Sequence, residues 1–132
     1  MTVELQMEHF AINTEDPAAM ARWYCDHLNM KVARSGPEPI SMRFLADASD
    51  RVVMEIYCNP PEKVPDYASI DPLVLHLAFA TDDVEATAAR LVAAGAKPEG
   101  QIFSTPEGDR IAMLRDPWGF CIQLCKRAEP MH

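Results

Sequence analysis

Apolar residues recur along the chain with two alternating periods. A two-residue alternation runs through His9 to Asn13, Ser41 to Ala46, Arg51 to Tyr57, Leu75 to Phe79, Arg110 to Leu114 and Phe120 to Cys125, and predicts strands. A helical period follows each of two acidic starts. Asp16 is a good N-cap with Pro17 at the first helical position, followed by Ala18 to Leu28 and a stop at Asn29. Asp82 or Asp83 caps a second helix, in which Val84, Ala88, Leu91 and Val92 fall at helical spacing and Gly95 stands where a left-handed residue is wanted. Pro106-Glu107-Gly108-Asp109 and Asp116-Pro117-Trp118-Gly119 carry turn chemistry. Between Asn59 and Pro72, the prolines 60, 61, 65 and 72 predict a linker without regular structure.

The pattern is written twice. His9-Phe10-Ala11-Ile12-Asn13-Thr14-Glu15-Asp16 matches His76-Leu77-Ala78-Phe79-Ala80-Thr81-Asp82-Asp83, with the histidines 67 positions apart. Val52 to Tyr57 matches Phe120 to Cys125 in apolar pattern, with Glu55 and Gln123 68 positions apart. Two segments sharing nearly one offset indicate a duplicated unit, each copy a strand, a helix and two or three further strands. A solenoid needs at least three repeats, so the copies are two halves of one domain.

Side chains on a strand alternate between faces, and this parity singles out four residues. Met54 and Ile56 lie opposite Glu55, and Phe10 and Ile12 opposite His9. Leu75, Leu77 and Phe79 lie opposite His76, and Phe120, Ile122 and Leu124 opposite Gln123. Each strand thus has one face for packing under a helix and another that presents one polar residue. A lone His in a strand is more often a hydrogen-bonded core residue, and a lone Glu more often solvated. Two His and a Glu at equivalent positions of a duplicated unit need partners together, and a divalent cation satisfies several at once.

Charge and composition narrow the classes. The 132 residues, 48% hydrophobic and 24% charged, suit one folded globular domain, and a formal charge of −8 without a basic cluster turns the chain away from nucleic acid. The Leu73 to Ala80 run is too short for a membrane helix, and the acidic start lacks a leader's apolar core, so a cytoplasmic protein is expected. Cys25, Cys58, Cys121 and Cys125 show no C-x-x-C pairing and read as free thiols, the last two as buried filler. Met20, Trp23 and Tyr24 read as core, while Arg43 and Arg115 are open candidates for an anion.

On these residues the chain resembles the vicinal oxygen chelate superfamily, which includes glyoxalase I, extradiol dioxygenases and bleomycin-resistance proteins. The resemblance runs from about Met7 to Lys126 and rests on His9, the Trp23-Tyr24 helix ending in Leu28-Asn29-Met30, Met54-Glu55-Ile56, Leu75-His76-Leu77-Ala78 and Asp116-Pro117-Trp118-Gly119-Phe120. It implies an α+β fold of two βαβββ modules in a cupped mixed sheet, at about 7–58 and 73–126 with the linker at 59–72, in a homodimer. It also implies a metal site from His9, Glu55, His76 and Gln123, for Zn, Ni, Fe or Mn. Metal-binding members usually carry Glu where Gln123 stands. An amide carbonyl can coordinate a cation but cannot accept a proton at neutral pH, which leaves Glu55 as the catalytic base and raises the charge of ion plus ligands from zero to +1.

In glutathione-dependent members an arginine follows the first ligand by four residues and an asparagine follows the first glutamate by four; these positions hold Asn13 and Asn59, and Pro72 replaces a further arginine. The resemblance therefore points away from a glutathione thioester. It implies a metal-dependent lyase or isomerase that chelates adjacent oxygens of a small substrate and stabilises an enediolate or oxyanion, with Asn13, Tyr57 and Asn59 near the substrate. Two alternatives are a ferrous extradiol-type dioxygenase, whose facial triad would take Glu55 as its carboxylate, and a drug-binding protein without catalysis.

Overall fold

Two aspartates start the two helices in the same way. Asp16 accepts a hydrogen bond from the Ala19 N–H at 3.1 Å and Asp83 one from the Ala86 N–H at 3.0 Å, each satisfying a backbone donor that the first helical turn leaves unpaired. The helices are α1 (Pro17–His27) and α2 (Val84–Ala93). Asn29 ends α1 at φ 57° and Gly95 follows α2 at φ 113°, the left-handed conformations expected at a helix end. The computed structural model describes residues 3–131, and of Val52 and Val53 the backbone only.

The chain divides into two compact units, Met1–Pro65 and Asp66–His132. In the first, β1 (Phe10–Asn13), α1, β2 (Lys31–Ser35), β3 (Arg43–Ala46) and β4 (Val52–Tyr57) follow in order. The sheet runs β1-β4-β3-β2, with β1 parallel to β4 and the other pairs antiparallel. In the second unit, β5 (Leu77–Ala80), α2, β6 (Lys97–Pro98), β7 (Phe103–Ser104), β8 (Arg110–Arg115) and β9 (Cys121–Lys126) give a sheet of order β5-β9-β8-β6, with β7 on β8 and β5 parallel to β9. The fold is α+β with two sheets of mixed strand orientation. The second unit adds the short β7 to the βαβββ plan.

In each unit the helix covers the apolar face that strand parity assigns to it. Met20, Ala21, Trp23 and Tyr24 of α1 are buried, as are Leu45, Met54 and Ile56 on the strands that α1 contacts. In the second unit Val84, Ala88 and Leu91 of α2 and Leu114, Ile122 and Leu124 of β8 and β9 form the matching core. Burying each of the larger side chains contributes about 1.5–3 kcal/mol. Val92, expected on the buried face of α2, is 40% exposed, because the stripe that meets the sheet is narrower than the helical spacing alone suggests.

The proline-rich segment is more regular than its composition predicts. It holds two single-turn 3₁₀ helices, Pro61–Lys63 and Tyr67–Ser69, the first with proline in the opening turn, where its fixed φ fits and no N–H is required. Tyr67 is buried against Phe120, ring centroids 4.9 Å apart. Asp116 organises the turn before β9: its Oδ1 accepts from the N–H groups of Trp118 and Phe120, both at 2.9 Å. Gly119 in that turn has φ +85°, and a Cβ there would lie 2.8 Å from the Cβ of Ala68.

Candidate functional site

In the first unit, one row of register partners crosses all four strands: Ala11 on β1, Glu55 on β4, Phe44 on β3 and Arg34 on β2. Partners in register share a face, so these side chains stand on the side away from Met54 and Ile56. His9, just before β1, joins them. Its Nε2 lies 3.5 Å from Glu55 Oε1, and its ring meets Phe44 edge to face with centroids 5.1 Å apart. His9 Nδ1 lies 2.9 Å from Glu8 Oε1.

That second contact decides what the first one means. With Nδ1–H donating to Glu8, a neutral His9 sets an Nε2 lone pair against a carboxylate oxygen, two acceptors face to face, whereas a protonated ring donates to both acids. Two acceptors at this separation are satisfied only by something positive shared between them, a proton or a metal cation.

The second unit repeats the row with different chemistry: Ala78 on β5, Gln123 on β9 and Met113 on β8, followed by Glu99, whose backbone N–H donates to Met113 O. His76 Nδ1–H donates to the Pro72 carbonyl at 2.7 Å, so Nε2 is again the lone pair. Here the facing atom is the Gln123 amide nitrogen at 3.3 Å, a donor, and the imidazole is satisfied within the unit. Gln123 is 8% exposed, and its amide nitrogen also lies 3.9 Å from Met113 Sδ. Burial raises the Cys121 thiol above its ordinary pKa, as befits an unreactive filler; all four cysteines are free.

The structure thus brings His9 to Glu55 and His76 to Gln123. Among the described residues no three His, Cys, Asp or Glu side chains group closely enough to hold a metal ion by themselves. Within each unit, taken by itself, the donors are of a kind that binds divalent ions. Both imidazoles have Nδ1 tied to oxygen and Nε2 aimed at the partner strand, and a half-turn of the Gln123 amide presents its carbonyl oxygen in place of the nitrogen.

Asn13 spends its amide on the loop after β4: Nδ2 donates to Pro60 O at 2.8 Å and to Lys63 O at 3.3 Å, and Oδ1 accepts from the Asn59 N–H at 2.6 Å. Tyr57 is half-buried and Asn59 exposed. The two arginines read as open anion sites are both committed. Arg115, 8% exposed, donates to Tyr67 O, Ile70 O and Gly119 O and pairs with Glu99 at 3.2 Å, because the strand end buries it beneath the 66–70 turn. Arg43 donates to the backbone oxygen and the hydroxyl of Ser41. Phe44 and Arg34 are the site residues that strand parity missed, and Arg34 has no ion-pair partner among the described residues.

The chain belongs to the glyoxalase/bleomycin resistance protein/dioxygenase superfamily, whose family model matches residues 6–124. Solved structures agree in fold. TnmS3, an antibiotic binding protein from Streptomyces sp. CB03234, is 23% identical with a TM-score of 0.70, over 97% of this chain and 100% of that one. A glyoxalase/bleomycin resistance protein/dioxygenase family enzyme from Burkholderia phytofirmans PsJN is 20% identical with a TM-score of 0.69, over 89% and 95%. A glyoxalase family protein from Enterococcus faecalis is 25% identical with a TM-score of 0.71, over 92% and 97%. No curated protein matches the chain. Among the described residues no helix is long and apolar enough to cross a membrane.

Proposed function

We propose that the chain is a metal-dependent enzyme of lyase or isomerase type, acting on a small molecule that carries two adjacent oxygens. One observation carries this: Nε2 of His9 faces the Glu55 carboxylate with Nδ1 held by Glu8, an arrangement that a divalent cation can complete in place of a proton. His9 and Glu55 are the principal ligands, and His76 and Gln123 the second pair of donors. A bound Zn, Ni, Fe or Mn supplies Lewis acidity to the two substrate oxygens.

The protein's own chemistry falls to Glu55. It is the one carboxylate of the set, its side chain is 17% exposed, and it is the group that can take a proton from carbon, since the Gln123 amide cannot. Tyr57, two residues beyond Glu55 on the same face, and Asn59, on the loop that Asn13 clamps, are proposed to line the substrate. A homodimer in a reducing, cytoplasmic setting completes the proposal; sedimentation of the purified chain as a monomer at micromolar concentration would count against the dimer.

Calorimetric titration with zinc, nickel, manganese and anaerobic ferrous ion tests the core of it. Stoichiometric binding that His9→Ala and Glu55→Gln each weaken by roughly 10–100-fold is expected; absence of binding for all four ions sinks the proposal. One observation favours a binding protein without catalysis instead. The Gln123 amide already satisfies His76, a way of using the second unit without an ion, and TnmS3 shows that an antibiotic binding protein can have this fold. Metal-free protein that binds an aromatic antibiotic as tightly as metal-loaded protein would select that reading.

A further inference from the structure

The row that carries Glu55 continues two strands further, to Arg34, a cation with no ion-pair partner among the described residues. Phe44 lies opposite Glu55 and Arg34 lies opposite Phe44. Glu8, Ala33, Arg34 and Phe44 line a pocket of about 280 Å³. Glu8 turns its carboxylate to His9 Nδ1, and among the described residues no acid forms an ion pair with the Arg34 guanidinium. The second unit does not repeat this feature: its row ends at Glu99, whose carboxylate is paired with Arg115.

We propose that this pocket takes a carboxylate-bearing ligand with a flat apolar body, its carboxylate on Arg34, its body on Phe44 and its opposite end at the His9–Glu55 pair; this names the substrate class of the proposed enzyme and rests on that reading for the identity of the face. The spacing sets the size. Arg34 and Glu55 are two strands apart, roughly 10 Å at about 4.8 Å per strand, the span of one ring with a substituent at each end. An arginine fork matches a carboxylate in two parallel hydrogen bonds, and an aromatic face receives a planar body in offset or edge-on contact. The pocket volume lies near the lower end of small-ligand sites, which again limits the ligand to about one ring.

Ligand-observed NMR titration of the full chain with phenylacetate and its neutral counterpart phenylacetamide tests the proposal. Phenylacetate should bind roughly tenfold more tightly, Arg34→Gln should bring it down to the amide's affinity without changing the amide, and Phe44→Ala should weaken both. Arg34 is exposed on an edge strand, so its replacement leaves the fold intact. Equal affinities in the parent chain, a preference that survives Arg34→Gln, or no binding of either probe in the millimolar range overturns the proposal. A zinc titration of the same samples separates the two claims. Zinc binding without carboxylate preference removes the ligand class alone, whereas carboxylate preference without binding of any divalent ion removes the enzyme reading and leaves an acid-binding pocket.

Discussion

The imidazole of His76 donates from Nδ1 to the carbonyl oxygen of Pro72, four residues earlier and 2.7 Å away. The contact fixes the ring's tautomer and holds Nε2 toward β9, whatever stands opposite. The unit is therefore prepared for a better ligand than it has. Gln123→Glu should raise zinc affinity at least about tenfold by calorimetry, and Gln123→Leu should lower it. Unchanged affinity in both variants would remove residue 123 from the ligand set.

Glu55→Gln gives the first unit the chemistry of the second. An amide nitrogen then donates to the His9 lone pair, so the metal-free variant should melt no lower than the parent. What it should lose is at least about half of the zinc-dependent stabilisation, which at a hundredfold excess over Kd is about 2.7 kcal/mol in a competent protein. A variant still stabilised by zinc to the parent's extent would show that the carboxylate is no ligand.

Arg115 is expected to be structural rather than functional. Its guanidinium satisfies three backbone carbonyls and Glu99 from an almost wholly buried position. Arg115→Met should cost roughly 3–5 kcal/mol in denaturant unfolding, and Arg115→Lys should recover little, because an ammonium cannot reach the same fork of acceptors. A loss under 1 kcal/mol would contradict this.

Two glycines with similar backbone angles should respond differently to alanine. Gly119, at φ +85°, would place its new Cβ 2.9 Å from the Ala68 backbone nitrogen, while Gly100, at φ +73°, has open space around it. Gly100→Ala should cost about 1 kcal/mol, the left-handed penalty alone, and Gly119→Ala clearly more. Similar losses would mean that the 66–70 turn yields without cost.

Acid should destabilise the second unit through two surface carboxylates. Asp109 is held below the ordinary aspartate value by the Ala128 N–H first and also by Arg127, and Glu85 below the ordinary glutamate value by a hydrogen bond from Arg110. A carboxyl group whose folded pKa is depressed lends stability that is complete above its unfolded pKa and is lost as pH falls through the folded one. The melting temperature should therefore decline below about pH 4.5, and Asp109→Asn with Glu85→Gln should flatten that decline. An identical acid limb in the double variant would refute the assignment.

Much of this was legible in the sequence for a simple reason: period two and a repeat offset fix which residues share a face. They marked His9, Glu55, His76 and Gln123 as the lone polar residues of their strands; the family resemblance paired them, and the structure brings His9 to Glu55 and His76 to Gln123. The caps at Asp16 and Asp83 were equally plain, since a cap is a local hydrogen bond. β2, β6 and β7 were not, because Lys31 to Ser35 is exposed throughout and the other two strands have only two residues each. Arg34 escaped for a subtler reason. Val32 pairs with Leu45 and Arg34 with Phe44, so the register slips by one residue at Ala33. Alternation counted from Val32 would send Arg34 to the helix side; the slip turns it to the Glu55 side.

The same irregularity bears on how open the edge of this sheet is to another strand. A straight, fully exposed border strand offers free N–H and C=O groups to any passing chain and invites fibre-like stacking. β2 is such a border, but its spare residue breaks the register, and the exposed Arg34 and the Lys31–Asp50 ion pair set charge along it. The slip that turns Arg34 to the Glu55 side of the sheet thus also makes this margin a poorer template for edge-on pairing.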